Sequence, residues 1–234
     1  MKLLLLVLFL IMSFTLPALS LFAHKSDKKI VLLFFGMIIY LLATVLVSFF
    51  SQAYHIVEYV SVSDKLQYVF ILSLMLSLAI FIVSKATKNI CIGDNGSAIY
   101  AGYSFLNVFV YNMSSYGLLI LVGLFRSTGK LVQMYGSEYA AQLTAYYDGI
   151  SVVSILALIA ELLLTFYILY RLFCRFIAGD KKASDLLSFF VFTMLMYMIQ
   201  FLCSNTIFAL VLYATEAAIV SGKWESFLKR NLHS

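Results

Sequence analysis

Charged residues and proline are scarce in this chain. Only 12% of its 234 residues are Asp, Glu, Lys or Arg, and Pro17 is the only proline. The helices of a soluble domain need a polar face, which a chain with 63% hydrophobic residues and a mean hydropathy of +1.00 cannot supply. The composition therefore excludes a soluble domain and predicts an all-α, polytopic integral membrane bundle.

Residues that bind metals or form redox centres are also few. The cysteines Cys91, Cys174 and Cys203 are far apart and show no CxxC or Cys/His pairing. The three histidines lie outside the apolar runs, so no histidine cluster can form in the hydrophobic core. We therefore predict no metal and no cofactor.

The net charge of +5 does not indicate a nucleic-acid partner, because the basic residues lie in short connections between apolar runs. Membrane orientation explains their placement, since cytoplasmic loops are enriched in Lys and Arg. On a six-span interpretation, the first, third and fifth loops carry nine basic residues and the opposite side carries seven. This small excess favours an amino terminus and a carboxy terminus that are both outside the plasma membrane.

Six apolar runs are each long enough to cross about 30 Å of hydrocarbon, which requires about 20 helical residues. The sixth run is longer than a bilayer requires and indicates tilt or an extension beyond the membrane. The runs predict one transmembrane domain over residues 1–234 that contacts the lipid bilayer, with spans at 3–23, 30–50, 66–84, 97–123, 149–170 and 186–215.

The first run, 3–23, has the leucine-rich core and the small residues near its end that are typical of a secretory signal peptide. Its length of about 20 residues equally suits a membrane span, and we favour an uncleaved first helix. Pro17 should kink this helix, because proline removes one backbone hydrogen bond. Two connections are more polar: 51–65 is compatible with a short interfacial helix, and 125–148 with an amphipathic surface segment or a lid.

The fourth run, 97–123, combines enough apolar character to span a membrane with several polar side chains. Unsatisfied polar groups are costly in hydrocarbon, so these side chains should face protein, a cavity or a ligand. They are Ser104, Asn107, Asn112, Ser114 and Ser115.

Glu161 lies near the middle of the fifth run. An ionised carboxylate at the bilayer centre costs about 2–4 kcal/mol or more, so such residues are functional by default. The alternative is a structural, protonated glutamic acid that is hydrogen-bonded to a neighbouring helix, through Asn107, Asn112 or Tyr103.

The opening hairpin LPALSLFAHKSDKKIVLLFFGMIIYLLATVLVSFF, the third span and the segment GYSFLN at 102–107 resemble the YhfC-type membrane proteins. Those proteins are similar to the CAAX-processing glutamic intramembrane proteases, whose helices carry a glutamate pair, a glycine-histidine-glycine-glycine-any-glutamate motif and a later histidine. Gly102 matches the first glycine of that motif, while Tyr103 and Asn107 stand at its histidine and glutamate. Glu161 takes the place of the later histidine, and the third span has no glutamate. The resemblance thus implies a catalytically silent relative with no catalytic residues.

The function predicted first is a non-enzymatic membrane subunit. It is a pseudoprotease-like scaffold that binds the transmembrane helix of a partner membrane protein or joins a larger transport or export complex. Small residues would allow such helices to approach closely. They are Ala101, Gly102, Ser104, Gly117 and Gly123.

The alternative is a transport subunit that holds a small-molecule ligand in a polar intramembrane site. Its predicted contacts are Glu161, Asn107, Asn112, Tyr103 and Ser104. A weaker alternative is an intramembrane protease that uses Glu161 as an acid or base, although the sequence offers no second catalytic group.

Overall fold

The computed structural model describes residues 1–22, 29–53, 61–86, 95–178 and 183–222. All of the regular structure in these ranges is helical. The α-helices are α1 Lys2–Phe22, α2 Lys29–Ala53, α3 Val62–Ala86, α4 Gly96–Asn107, α5 Met113–Phe125, α6 Lys130–Tyr135, α7 Ser137–Gly149, α8 Val152–Ala178, α9 Ala183–Leu202 and α10 Thr206–Val220, and a π-helical turn, Val108–Asn112, joins α4 to α5.

Six helices are long and apolar enough to cross a membrane: α1, α2, α3, the continuous helix Gly96–Phe125, α8 and α9. Their outward faces carry large apolar side chains such as Phe34, Val45 and Val153, which suits contact with lipid tails. The chain is therefore an all-α, multi-pass membrane protein, as its composition predicts. The interfacial helix expected within 51–65 falls largely on residues outside the described ranges.

The sixth span was predicted as one long helix, 186–215, and this prediction is wrong. Helix α9 ends at Leu202, and α10 begins at Thr206. The side-chain oxygen of Asn205 accepts a hydrogen bond from the backbone N–H of Phe208 at 3.1 Å, which is the usual way that asparagine caps the start of a helix. A single polar cap within an apolar run thus separates two helices.

Helix α10 runs alongside α8 in the same direction. The Tyr213 hydroxyl donates to Oε1 of Glu161 at 3.1 Å, and further along both helices Nη2 of Arg171 donates to the carbonyl of Ser221 at 3.5 Å. Residue numbers therefore rise together on the two helices. Because α9 returns between them, the end of α10 lies on the side of the bundle where α8 ends, which we call the Ser221 side.

The opposite side of the bundle, which we call the Lys2 side, is closed by α6 and α7. Nζ of Lys2 donates to the backbone carbonyl of Asp148 at 2.8 Å, and Arg126 forms an ion pair with the Asp148 carboxylate. Leu131 and Tyr147 are buried against α5 and α1. The predicted amphipathic segment at 125–148 is thus a pair of short surface helices that ties the start of α1 to the end of α5.

The tightest packing in the bundle is between α2 and α4. A Cβ atom on Gly36 would overlap the carbonyl oxygen of Ile99, and a Cβ on Gly102 would overlap the carbonyl oxygen of Leu33. Two backbones approach this closely only where both helices lack a side chain. This contact holds the fourth span against α2 and fixes which of its faces points to the centre of the bundle.

Candidate functional site

The bundle contains a partly open cavity of about 570 Å³, which we call the central cavity. Its walls come from α1, α2, α3, α4, the π-helical turn, α5, α8 and α9. The polar side chains among its lining are Ser13, Tyr40, Thr44, Tyr68, Tyr100, Tyr103, Ser104, Asn107, Tyr111, Asn112, Ser115, Tyr116, Glu161, Thr165, Tyr197 and Gln200.

All five residues predicted as an intramembrane site line the central cavity. They are separated by up to 58 positions in the sequence, and the bundle brings them to one space. Their role in binding stays a prediction. The five are Glu161, Asn107, Asn112, Tyr103 and Ser104.

The fourth span lines the cavity along most of its length. Tyr100, Ser104, Asn107 and Tyr111 follow one another at spacings of three or four residues, which places them on one face of a helix. The opposite face is packed on α2 through Gly102. The polar residues therefore point inward because the small residue fixes the rotation of the helix.

The π-helical turn at Val108–Asn112 shifts this face by one residue. In an uninterrupted α-helix, Ser114 and Ser115 would lie about equally close to the stripe of Asn107 and Tyr111, and Asn112 would lie away from it. One extra residue in the turn instead brings Asn112 and Ser115 to the cavity. Ser114 was predicted to face protein or a cavity, and this is wrong: it is exposed outside the cavity, and its Oγ donates to the backbone carbonyl of Val110.

Helix α1 is tied to the fourth span at the cavity wall. Nδ2 of Asn112 donates to Oγ of Ser13 at 3.1 Å, and Ser13 in turn donates to the carbonyl of Phe9 at 2.9 Å. Helix α1 continues through Pro17. The polar residue Asn112 is thus satisfied by protein, as the cost of leaving it unpaired in lipid requires.

Glu161 projects from α8 into the cavity, where it is half-buried. Its predicted hydrogen-bond partners were Asn107, Asn112 or Tyr103, and that prediction is wrong because Tyr213 of α10 donates to it. The six-span interpretation placed residue 213 in a continuation of α9, so this partner could not be inferred. Tyr213 is fully buried, which holds its hydroxyl in place.

Tyrosine is the commonest polar lining residue. Tyr100 donates from its hydroxyl to the carbonyl of Phe166 at 3.1 Å, and its ring stacks on that of Tyr103 with centroids 6.3 Å apart. Tyr40 packs its edge against Tyr103 at 5.8 Å, and its buried hydroxyl has no hydrogen-bond partner among the described residues. Sequence reasoning missed Tyr40, although a tyrosine in the middle of an apolar span, away from both headgroup regions, is itself a signal.

Comparisons of the chain with known protein families, with curated proteins and with solved structures give no match. The resemblance to YhfC-type proteins therefore stays a prediction. Of the four positions that it singled out, Tyr103, Asn107 and Glu161 line the central cavity, and Gly102 packs on α2.

The chemistry of the cavity is set by one carboxylate among hydroxyls, amides and aromatic rings. Glu161 is the only charged side chain in its described lining. The described residues contain no cluster of three His, Cys, Asp or Glu side chains that would hold a metal ion. An environment of this kind accepts hydrogen bonds and attracts positive charge, and its phenol and amide groups also donate hydrogen bonds.

Proposed function

We propose that this protein binds a small organic cation in the central cavity, as part of a transport function. The observation that carries the proposal is the isolated carboxylate of Glu161 in a cavity with seven tyrosine side chains in its lining. The volume of about 570 Å³ lies within the range of small-molecule sites, about 300–1,000 Å³.

The aromatic lining supports a cation over an anion or a neutral ligand. A cation over the face of an aromatic ring gains about 0.5–2 kcal/mol, and this gain rises when water is excluded. Tyr100, Tyr103 and Tyr40 form a continuous group of rings, and Glu161 supplies the compensating negative charge. A ligand with one positive charge and an apolar or aromatic body fits both features.

The pseudoprotease-like scaffold stays a prediction, and two of the small residues on which it relied have another role. Ala101 is fully buried, and Gly102 packs on the backbone of α2 within the same chain. These two residues serve internal packing, whereas Gly117 meets only Met113 of its own helix. The protease alternative needs a second acid or base near Glu161, whose hydrogen-bond partner is the phenol of Tyr213.

Titration of the purified full chain with benzyltrimethylammonium tests the proposed function. This probe carries a permanent charge, and neopentylbenzene is its uncharged isostere. We expect binding of the cation that the neutral isostere does not displace. Replacing Glu161 by Gln keeps the shape but removes the charge, and loss of one partner of a buried charge pair costs about 2 kcal/mol or more, which weakens binding about 30-fold.

Glu138→Gln is the matched control, because Glu138 is exposed on α7, away from the cavity. This variant should bind the probe as the unaltered protein does. Equal affinity of the Glu161→Gln variant, or no binding by the unaltered protein, would contradict the proposal.

We further propose that the protein lies in the plasma membrane with its amino terminus outside and its carboxy terminus inside. With α10 counted as a seventh crossing, the sequence has twelve basic residues in the first, third and fifth connections and the tail, against four in its other segments. Cytoplasmic loops carry such an excess. The twelve are Lys25, Lys28, Lys29, Lys85, Lys88, Arg171, Arg175, Lys181, Lys182, Lys223, Lys229 and Arg230, and the four are Lys2, Lys65, Arg126 and Lys130.

A further inference from the structure

A second carboxylic acid, Glu216 on α10, is buried inside the bundle. Its side chain is 5% exposed, and neither carboxyl oxygen has a hydrogen-bond partner among the described residues. Buried polar groups are normally hydrogen-bonded, and an ionisable residue within an apolar bundle is costly. Glu216 is outside the lining of the central cavity, so contact with a ligand there does not explain why this acid is buried.

Glu216 is linked to the cavity by Tyr213. The two residues are three positions apart on α10 and therefore share one face of the helix. Both residues are buried on α10. The Tyr213 hydroxyl already donates to Glu161 at 3.1 Å. One phenol thus contacts the first carboxylic acid and lies one helical turn from the second.

The other titratable and charged groups around this chain of residues leave both acids without a salt bridge in the described part of the molecule. On α5, Tyr116 lines the same cavity as Glu161. On α8, Arg171 directs its guanidinium to the carbonyl of Ser221, beyond Glu216. The state of each acid is therefore set by burial and by Tyr213.

We propose that Glu216 is a proton-binding site that exchanges protons with Glu161 through Tyr213, and that the protein thereby couples cation binding to proton movement towards the Ser221 side. The coupling rests on the proposed function, since it needs a cation in the central cavity. The order Glu161, Tyr213, Glu216 leads from the cavity towards the end of α10.

The transfer conserves protons and involves no oxidation. In this proposal, Glu161 holds the proton and Glu216 is ionised before the cation arrives. As the cation approaches, the Tyr213 hydroxyl turns from Glu161 towards Glu216, the Glu161 O–H bond breaks, and its proton passes to the Tyr213 oxygen. The original hydroxyl proton of Tyr213 passes to a carboxylate oxygen of Glu216, after rotation of that side chain towards its neighbour. One O–H bond forms for each that breaks, Tyr213 is unchanged, and Glu161 is left with the negative charge that pairs with the cation.

Infrared difference spectroscopy of the full chain tests the proton site without a ligand. A protonated carboxylic acid has its own carbonyl stretch, which an ionised carboxylate lacks, so a titration to acid pH reveals each acid as it takes up its proton. We expect Glu216→Gln to lose one such band. In Glu161→Gln, the band of Glu216 should shift its titration midpoint. When Glu161→Gln is combined with Tyr213→Phe, this shift should be absent. A spectrum of Glu216→Gln identical to that of the unaltered protein would overturn the proton site.

Proteoliposomes with a pH-sensitive dye inside test the coupling. Benzyltrimethylammonium should move protons across membranes that contain the unaltered protein or the Glu138→Gln control. Glu216→Gln leaves every residue of the central cavity in place, so this variant should still bind the probe. Its coupled proton flux, and that of Tyr213→Phe, should fall about 100-fold, as expected when a positioned proton-transfer group is removed.

The two failures can be told apart. Retained flux in Glu216→Gln overturns the coupling while the proposed function stands. Absence of probe binding by the unaltered protein overturns the proposed function and the coupling together, and the infrared titration still decides whether Glu216 binds a proton. Thermal unfolding of each variant shows whether a loss of flux reflects a loss of fold.

Discussion

Two tyrosine hydroxyls in the same cavity differ in their hydrogen bonding. The Tyr100 hydroxyl donates to the carbonyl of Phe166, while the buried Tyr40 hydroxyl has no partner in the described part of the chain. A satisfied buried hydrogen bond contributes about 1 kcal/mol, whereas an unsatisfied group carries a desolvation cost. At the residue scale, Tyr100 is therefore a structural residue, and Tyr40 has a hydroxyl to which a ligand can hydrogen-bond.

This difference predicts that removal of the hydroxyl has different effects on stability at the two tyrosines. Tyr100→Phe should lower the free energy of unfolding by about 1 kcal/mol. Tyr40→Phe should leave the stability of the ligand-free protein unchanged or raise it. Thermal unfolding of the two purified variants measures both effects, and each variant is the control for the other. Equal destabilisation by the two substitutions would show that Tyr40 also has a partner.

The polar residues of the fourth span show what sequence could predict at this scale. The cost of polar groups in lipid predicted that Ser104, Asn107 and Asn112 avoid lipid, and all three line the cavity. The same argument was wrong for Ser114, because a serine hydroxyl can donate a hydrogen bond to a carbonyl of its own helix and stay exposed. It also failed for the partner of Glu161, which belongs to a helix that hydropathy did not separate.

At the scale of elements, the contact of α2 with α4 depends on two glycines. Gly36→Ala and Gly102→Ala should each destabilise the protein by about 1–3 kcal/mol or prevent folding, because the new methyl group meets backbone that cannot move aside. Gly117→Ala is the matched control, since its Cβ would lie 3.7 Å from the flexible side chain of Met113. Expression and thermal unfolding in detergent give the comparison. Equal tolerance of all three would contradict this packing.

The π-helical turn predicts that cysteines at two neighbouring positions, 114 and 115, differ in reactivity. In a chain whose native cysteines are replaced by serine, Ser115→Cys should react with a water-soluble thiol reagent, because it lines a polar cavity. Ser114→Cys should react much more slowly, since it lies outside the cavity on the lipid-exposed face. An unbroken α-helix would bring Ser114 towards the cavity stripe, so faster reaction of Ser114→Cys would exclude the turn.

The ends of elements were harder to predict than their existence. Six long apolar helices follow from hydropathy, which is a property of each segment alone. The end of α9 at Leu202 depends on one cap, Asn205, with apolar sequence on both sides. The turn at Val108–Asn112 has no sequence marker that we can identify.

For the whole molecule, the proposed orientation depends on α10, a helix of 15 residues that returns alongside α8. In the chain without native cysteines, Ser137→Cys should be labelled in intact cells by a membrane-impermeant maleimide. Ser234→Cys should be labelled only after the cells are opened. The six-span interpretation expects both cysteines to react in intact cells, so labelling of Ser234→Cys from outside would contradict the proposal that α10 crosses the membrane.

The hydrogen bond between Asn112 and Ser13 also has a consequence for biosynthesis. The two residues are 99 positions apart, so at about 5–20 residues per second Ser13 leaves the ribosome roughly 5–20 seconds before Asn112. Glu161 and its partner Tyr213 follow later still. Until then, the membrane contains helices whose polar side chains lack the partners that later helices supply. The half-made chain should therefore be the form that quality-control proteases of the membrane recognise and degrade.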